Sequence, residues 1–220
     1  MTDDHLSLPE ELLLLALDDR TGQDRAGQTL PFGLAAAALV DLALRGQIRM
    51  EDERIVVGDA APTGNPVLDD VRALIAAEEK PKKAAAWVGT AAHKIKKLPD
   101  RVAQPLVERR LLKAEEGKLL GLFPITRYPQ RDRTVERDLH DRIRRVVSGS
   151  LRPDDRTAAL LALMNACGLL KTVFDGPNLD DAKERAKGSG TAEAYARPAR
   201  DLVAALLKGL GEQLQQNRAS

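Results

Sequence analysis

Gly33-Leu34-Ala35-Ala36-Ala37-Ala38-Leu39-Val40-Asp41-Leu42-Ala43-Leu44-Arg45-Gly46 is an alanine- and leucine-rich run that closes on a glycine. Ala and Leu lose least on entering a helix, and glycine takes the left-handed conformation that commonly ends one, so the run predicts a helix with Gly46 past its C-terminus. The small alanine side chains allow close approach of neighbouring helices. Directly after it, Gln47-Ile48-Arg49-Met50 and Arg54-Ile55-Val56-Val57 flank Glu51-Asp52-Glu53, the pattern of a small hairpin. The same order recurs later: a helix ending Leu106-Val107-Glu108-Arg109-Arg110, a short strand near Leu111-Leu112-Lys113, a turn at Glu115-Glu116-Gly117 and a strand through Leu119 to Ile125. No βαβ alternation appears, which excludes a doubly wound sheet. The expected fold is mainly α, a single helical domain with short β-hairpins over residues 1–220.

The flanking sequence reads as helix almost throughout. Ser7-Leu8-Pro9-Glu10 has capping-box spacing with proline in the first turn, and Leu12 to Leu17 follows as a short buried helix. Pro62-Thr63-Gly64-Asn65-Pro66 is a turn, after which Val67, Leu68, Val71, Leu74 and Ile75 form a helical stripe. Thr134 to Val147, Asp154 to Phe174 and Ala192 to Leu214 are further helical segments. Trp87, the one tryptophan, follows three alanines and reads as a core anchor.

With 220 residues, 43% of them hydrophobic, the chain can bury a substantial core. The longest uninterrupted apolar runs, Leu12 to Leu17, Leu34 to Val40 and Ala158 to Met164, fall short of the roughly 18–20 residues that span a bilayer. The acidic opening Met1-Thr2-Asp3-Asp4-His5 lacks the basic start of a signal peptide. One cysteine, Cys167, cannot form an intrachain disulfide, and its neighbours place it inside a helix. These features point to a cytoplasmic, reducing environment.

Charge is balanced overall, 34 Lys plus Arg against 33 Asp plus Glu, but it is not evenly spread. Between Lys80 and Lys113 lie ten cations (Lys80, Lys82, Lys83, Lys94, Lys96, Lys97, Arg101, Arg109, Arg110, Lys113) against Asp100 and Glu108. That segment carries a net +8, so the remainder of this +1 chain carries −7. A local positive field attracts anionic surfaces over about a Debye length. The core of the segment, His93-Lys94-Ile95-Lys96-Lys97-Leu98, abuts Pro99-Asp100-Arg101, where proline opens a new helix. The free N–H groups there favour an anion, although Asp100 competes for them.

Taken together, Leu6-Ser7-Leu8-Pro9-Glu10-Glu11-Leu12-Leu13-Leu14-Leu15, Leu42-Ala43-Leu44-Arg45-Gly46, Asp59-Ala60-Ala61-Pro62-Thr63-Gly64-Asn65, Leu106-Val107-Glu108-Arg109 and Leu160-Leu161-Ala162-Leu163 occur in a familiar order. Nearly end to end, the chain resembles the Golgi phosphoprotein 3 family of phosphoinositide-binding peripheral membrane proteins, in a bacterial-type form. The resemblance implies a mostly helical domain that binds phosphatidylinositol 4-phosphate in a shallow basic pocket. It also implies an adaptor role toward membrane-protein clients and self-association into homo-oligomers. In the family a tryptophan and an arginine lead into the second helix; here those positions hold Arg25-Ala26-Gly27 and Leu34-Ala35-Ala36. Lys96 falls on one further family arginine, Pro99 replaces another, and Arg101 matches a third. Lysine keeps the charge but lacks the planar fork of arginine, so the resemblance implies an anionic-lipid surface of reduced headgroup selectivity.

The headgroup-binding residues expected on this basis are Lys94, Lys96, Lys97, Arg101 and Arg25. Four cations at about 1 kcal/mol each give roughly 4 kcal/mol, which is reversible adhesion and calls for a second contact. The family's second hairpin supplies one by membrane insertion or self-association; here Leu119, Leu120, Leu122 and Phe123 are the candidates for its apolar tip.

A winged-helix nucleic-acid binder is the rival reading, because helix-strand-turn-strand occurs twice. Against it, the helix before the first hairpin is Ala and Leu, not the Arg, Lys, Asn or Gln that read base edges. No enzyme is indicated: His5, His93 and His140 are far apart, and CxxC, HExxH, GxSxG and Walker-type loops are missing. Asp138-Leu139-His140-Asp141 reads as a solvated helix face rather than a metal site, and no cofactor is implied.

Overall fold

The computed structural model describes residues 5–58, 61–119, 123–196 and 199–219. Among these, nine α-helices and two antiparallel two-stranded sheets make a mainly α architecture, as the sequence predicts. The order is α1 (Leu8–Ala16), α2 (Leu30–Leu44), β1 (Ile48–Glu51), β2 (Arg54–Val57), α3 (Pro66–Ala76), α4 (Ala84–Lys94) and α5 (Leu98–Glu108). It continues through β3 (Glu115–Leu119), β4 (Phe123–Arg127), α6 (Thr134–Val147), α7 (Asp155–Ala166), α8 (Gly176–Ser189) and α9 (Arg200–Ala219).

The alanine-rich run becomes α2, the axis of the core. Thirteen of its 15 residues are buried, because α1, α3, α4, α5, α7 and α9 pack around it. By length and composition 27–44 is long and apolar enough to cross a membrane, which corrects the count of uninterrupted runs, since Gln28 and Thr29 are tolerated within such a stretch. Here that segment is enclosed by protein. Close packing is made by small residues at the crossings. A Cβ placed on Gly33 would lie 2.4 Å from the Cys167 Sγ, and one on Gly209 would lie 2.6 Å from the Cα of Ala85, where α9 crosses α4.

α1 starts where the sequence places it. The Glu10 carboxylate accepts from the Ser7 N–H at 2.5 Å and the Ser7 hydroxyl at 2.6 Å, closing the capping box. Besides Glu10, two further carboxylates are buried with the apolar residues around α1 and α2, Asp41 at 1% exposure and Glu11 at 5%. Each has cationic partners: Arg45 Nε donates to Asp41 at 2.6 Å, Arg142 to Glu11 at 2.8 Å, and Arg156 lies 3.1 Å from Glu11 and 3.5 Å from Asp41. Asp41 also accepts from the Leu8 N–H at 2.6 Å, so the network ties the start of α1 to α2, α6 and α7.

The first hairpin pairs Ile48 with Val57 and Glu51 with Arg54, and Asp52 and Glu53 take left-handed conformations in the turn. The second is displaced from its predicted place. Glu115, Glu116 and Gly117, read as a turn, are strand β3 and pair with Arg127, Thr126 and Ile125, while Leu112 makes only a single bridge to Gln130. Glu115, Glu116 and Thr126 are exposed, and an exposed strand accepts polar residues that signal a turn elsewhere. Other helices also end differently from the reading. α7 stops at Ala166, where Gly168 turns left-handed at φ +70°, and a separate 3₁₀ turn spans Leu170–Thr172. The segment from Ala192 opens as a 3₁₀ turn, and α9 begins only at Arg200. Cys167 is the buried residue capping α7, and Trp87 is a core residue at 1% exposure.

Candidate functional site

The basic cluster occupies the junction of α4 and α5. Ile95 and Leu98 are buried, while Lys94, Lys96 and Lys97 are exposed, so two apolar anchors fix a turn that throws its lysines outward. Lys97 caps α5 in a left-handed conformation at φ +53°, unusual for a residue with a Cβ. Upstream, the His93 ring packs edge-on against Phe32 at 5.4 Å, and its Nδ1 lies 2.7 Å from the Gly89 carbonyl, securing the end of α4.

Ion pairing divides seven of the ten cations into two groups. Lys82 pairs with Glu78 at 2.5 Å, Lys83 with Glu53 at 2.8 Å, Lys113 with Glu115 at 2.9 Å, and Arg101 with Asp70. Lys82 also lies over the Trp87 ring at 5.1 Å. Among the described residues, Lys94, Lys96 and Lys97 have no acidic partner, so their field is not neutralised locally.

Arg25 belongs to the loop after α1. Asp18 organises that loop, accepting from the Thr21 N–H and hydroxyl, each at 2.8 Å, and from Arg25 at 2.7 Å. These bonds hold the Asp18 carboxyl far below the usual range, the Thr21 amide contributing most. Gly22 is left-handed at φ +63°, and a Cβ there would lie 2.2 Å from the Pro129 nitrogen. Only glycine lets the loop meet the end of the second hairpin this closely. The Tyr128 N–H donates to the Gly22 carbonyl at 3.1 Å, and its hydroxyl donates to Asp100 at 2.8 Å. Tyr128 therefore clasps the loop, β4 and the first turn of α5 together, and burial with the nearby Asp100 pushes its phenol far above the ordinary value.

Between these three elements lies a cavity of about 580 Å³. Leu13, Leu17, Leu30, Pro31, Pro99 and Ile125 form apolar walls; Asp24, Asp100, Arg127 and Tyr128 bring the polar groups. Asp24 accepts from the Ala26 N–H at 2.6 Å, yet desolvation raises its carboxyl above the usual range. Arg127 Nε is buried without a hydrogen-bond partner. None of the five residues expected to bind a headgroup lines this cavity. Lys94, Lys96 and Lys97 share one turn; Arg101 lies one helical turn further along α5, engaged with Asp70, and Arg25 is engaged with Asp18. Asp24, Arg127 and Tyr128 were not anticipated. An aromatic residue in a chain with only 3% aromatics, followed directly by Pro129, was the available signal for Tyr128.

Leu120 and Leu122 lie outside the described residues, as do the side chains of Leu119 and Phe123, whose backbones pair at the ends of β3 and β4. Among the described residues no group of three His, Cys, Asp or Glu side chains is placed to hold a metal ion.

A family model described as Golgi phosphoprotein 3 (GPP34) matches residues 8–206, from the first residue of α1 into α9. The chain belongs to the Golgi phosphoprotein 3 family. Similar to it is the vacuolar protein sorting-associated protein 74 of Schizosaccharomyces pombe, 23% identical over 215 residues, a match covering 81% of this chain and 63% of that relative. The family match takes in α1, α2, both hairpins, the lysine turn and the cavity together, so the candidate surface lies within the family domain and not on an appendage.

Proposed function

We propose that this Golgi phosphoprotein 3 family chain docks peripherally, from the cytoplasmic side, on membranes rich in anionic lipid, and acts there as a non-enzymatic adaptor for membrane-protein clients. The observation that carries the reading is the α4–α5 turn, where Lys94, Lys96 and Lys97 are exposed on a fixed backbone with no acidic partner among the described residues. Arg101, one turn along α5, and Arg25, on the loop after α1, serve as secondary contacts, each exchanging an existing carboxylate for lipid phosphate when it engages. Recognition is led by charge: the adjoining cavity presents Asp24 and Asp100, and carboxylates repel a phosphate. A phosphoinositide such as phosphatidylinositol 4-phosphate then binds as a highly charged anionic lipid, with modest preference over phosphatidylglycerol.

Three lysines at about 1 kcal/mol each supply about 3 kcal/mol, too little for lasting residence. Pairing of copies or insertion of the second hairpin provides the rest. Nucleic acid is the less suited partner, because α2, which precedes the first hairpin, is enclosed and has no face to offer a groove.

The test is flotation with vesicles of phosphatidylcholine containing either phosphatidylglycerol or phosphatidylinositol 4-phosphate, at low and high salt, beside duplex DNA. The triple variant K94A/K96A/K97G removes the charges, and glycine at 97 accommodates the left-handed backbone. Its vesicle affinity falls by about two orders of magnitude while its circular dichroism is unchanged. Undiminished vesicle binding by the variant, or a preference of the natural chain for DNA at equal salt, overturns the reading.

A further inference from the structure

The cavity between α1, the loop after it, α5 and β4 is left unused by the lysine surface, and its lining carries charge of both signs. At about 580 Å³ it falls within the size range of sites that hold small molecules. Leu13, Leu17 and Leu30 give it an apolar lining, each at 3% exposure or less. Two carboxylates, Asp24 and Asp100, and one guanidinium, Arg127, line the same space.

These charges are held in place yet lack opposite charges. Asp24 accepts from the Ala26 N–H at 2.6 Å and Asp100 from the Tyr128 hydroxyl at 2.8 Å, both neutral donors. A carboxylate has about four acceptor sites, so each has room for further donors. Among the described residues neither has a cationic partner, and Arg127 has no acidic one. The Arg127 Nε is shielded without an acceptor, which leaves the terminal nitrogens of the fork to meet an anion.

Two carboxylates outweigh one guanidinium, so the cavity repels a bare phosphate, while an uncharged ligand leaves all three charges unanswered. A zwitterion answers both signs at once. A primary ammonium brings three N–H donors for carboxylates, and a phosphate matches the planar fork of an arginine. The cavity also adjoins the docking surface, because Pro99 and Asp100 follow Lys97 in the first turn of α5.

We infer that this cavity binds a phosphoethanolamine group, its ammonium taken by the Asp24 and Asp100 carboxylates and its phosphate by Arg127. Tyr128 positions Asp100 for that contact, and the leucines keep water from competing for it. The quaternary ammonium of phosphocholine has no N–H to donate, so the cavity selects against it. That the group arrives on a membrane lipid, a phosphatidylethanolamine, rests on the docking function proposed above; the binding of the group itself does not.

Amide NMR of the full chain, titrated with glycerophosphoethanolamine, glycerophosphocholine and glycerol 3-phosphate, tests the site. Glycerophosphoethanolamine shifts the signals of Asp24, Asp100 and Tyr128 with a Kd on the order of 1 mM. Each of the other two lacks one charge-assisted contact and binds about tenfold more weakly. D24N, in which the asparagine oxygen still accepts from the Ala26 N–H, and R127Q each weaken glycerophosphoethanolamine about tenfold. K94A/K96A/K97G, outside the cavity, leaves it unchanged. Equal binding of either competitor, or no shift with glycerophosphoethanolamine, overturns the inference. In flotation, phosphatidylethanolamine replacing phosphatidylcholine in phosphatidylglycerol vesicles raises the affinity of the natural chain and not that of D24N. Headgroup binding by a chain that ignores both vesicles refutes the docking function and leaves the site standing, with the free headgroup as its ligand. Vesicle binding without any headgroup response refutes the site and leaves docking standing.

Discussion

The crossing of α4 and α9 allows one substitution to be made twice with opposite results. Gly209 and Gly211 both lie inside α9, and replacing either by alanine removes the same backbone freedom, worth about 0.5–1 kcal/mol in favour of the folded helix. At Gly211 the new methyl meets nothing within 4 Å, so this gain stands alone. At Gly209 the methyl would sit 2.6 Å from Ala85 Cα, 2.9 Å from its nitrogen and 3.1 Å from its Cβ. Two of those atoms are backbone, so no rotamer change relieves the clash and the two helices must separate. Overpacking of this kind costs about 1–3 kcal/mol, which outweighs the propensity gain. G209A therefore unfolds at lower denaturant than the natural chain, and G211A at higher. Because the propensity gain is common to both, the two variants differ by the overpacking cost alone, about 1–3 kcal/mol. At about 2–4 °C per kcal/mol for a chain of this size, that is a gap of several degrees in melting temperature. Trp87 is the sole tryptophan, is buried and sits on α4, so its fluorescence reports the transition at the affected crossing. G209A as stable as G211A would show that α4 and α9 do not pack backbone to backbone.

Replacing Arg156 by alanine leaves Glu11 and Asp41 buried with less positive charge and removes a donor from the Leu6 carbonyl; a loss of about 3–5 kcal/mol is expected in urea unfolding. Tyr128→Phe deletes the 2.8 Å bond to Asp100 and costs about 1–3 kcal/mol, with hydrogen exchange rising at Gly22 and the start of α5 if Tyr128 is the clasp described. Cys167 is buried, and desolvation pushes its thiol up to about 12, so a thiol reagent at pH 8 labels it only at the rate of unfolding; labelling within the mixing time would place it at the surface.

The elements that the sequence makes legible are those specified by local chemistry. Ser7 and Glu10 announce the start of α1, the alanine run announces α2, and Thr134 to Val147 matches α6 at both ends. The second hairpin was misplaced because Glu115, Glu116 and Gly117 satisfy turn preferences as well as exposed-strand ones, and only pairing with Arg127, Thr126 and Ile125 decides between them. The lysine turn could be located from charge alone, and its exposure follows from Ile95 and Leu98, the apolar residues interleaved with and following the lysines, being buried. The cavity could not. Its walls come from α1, the following loop, α2, α5 and β4, and Asp24 and Asp100 stand far apart in the chain until Gly22 and Tyr128 bring their segments together. The partners of Arg101 and Arg25 were hidden for the same reason: which carboxylate a surface arginine finds is a property of the folded surface.

The central position of α2 has a cost during synthesis. It emerges from the ribosome early, whereas α9, one of the helices that covers it, comes last. At about 5–20 residues per second, the interval between them is on the order of 10–30 s. Throughout that time a long, uncharged-looking rod broken only by Asp41 has an incomplete sheath, open on the side that α9 covers, which makes the nascent chain a natural client for holding chaperones and makes truncation before α9 a route to insoluble product.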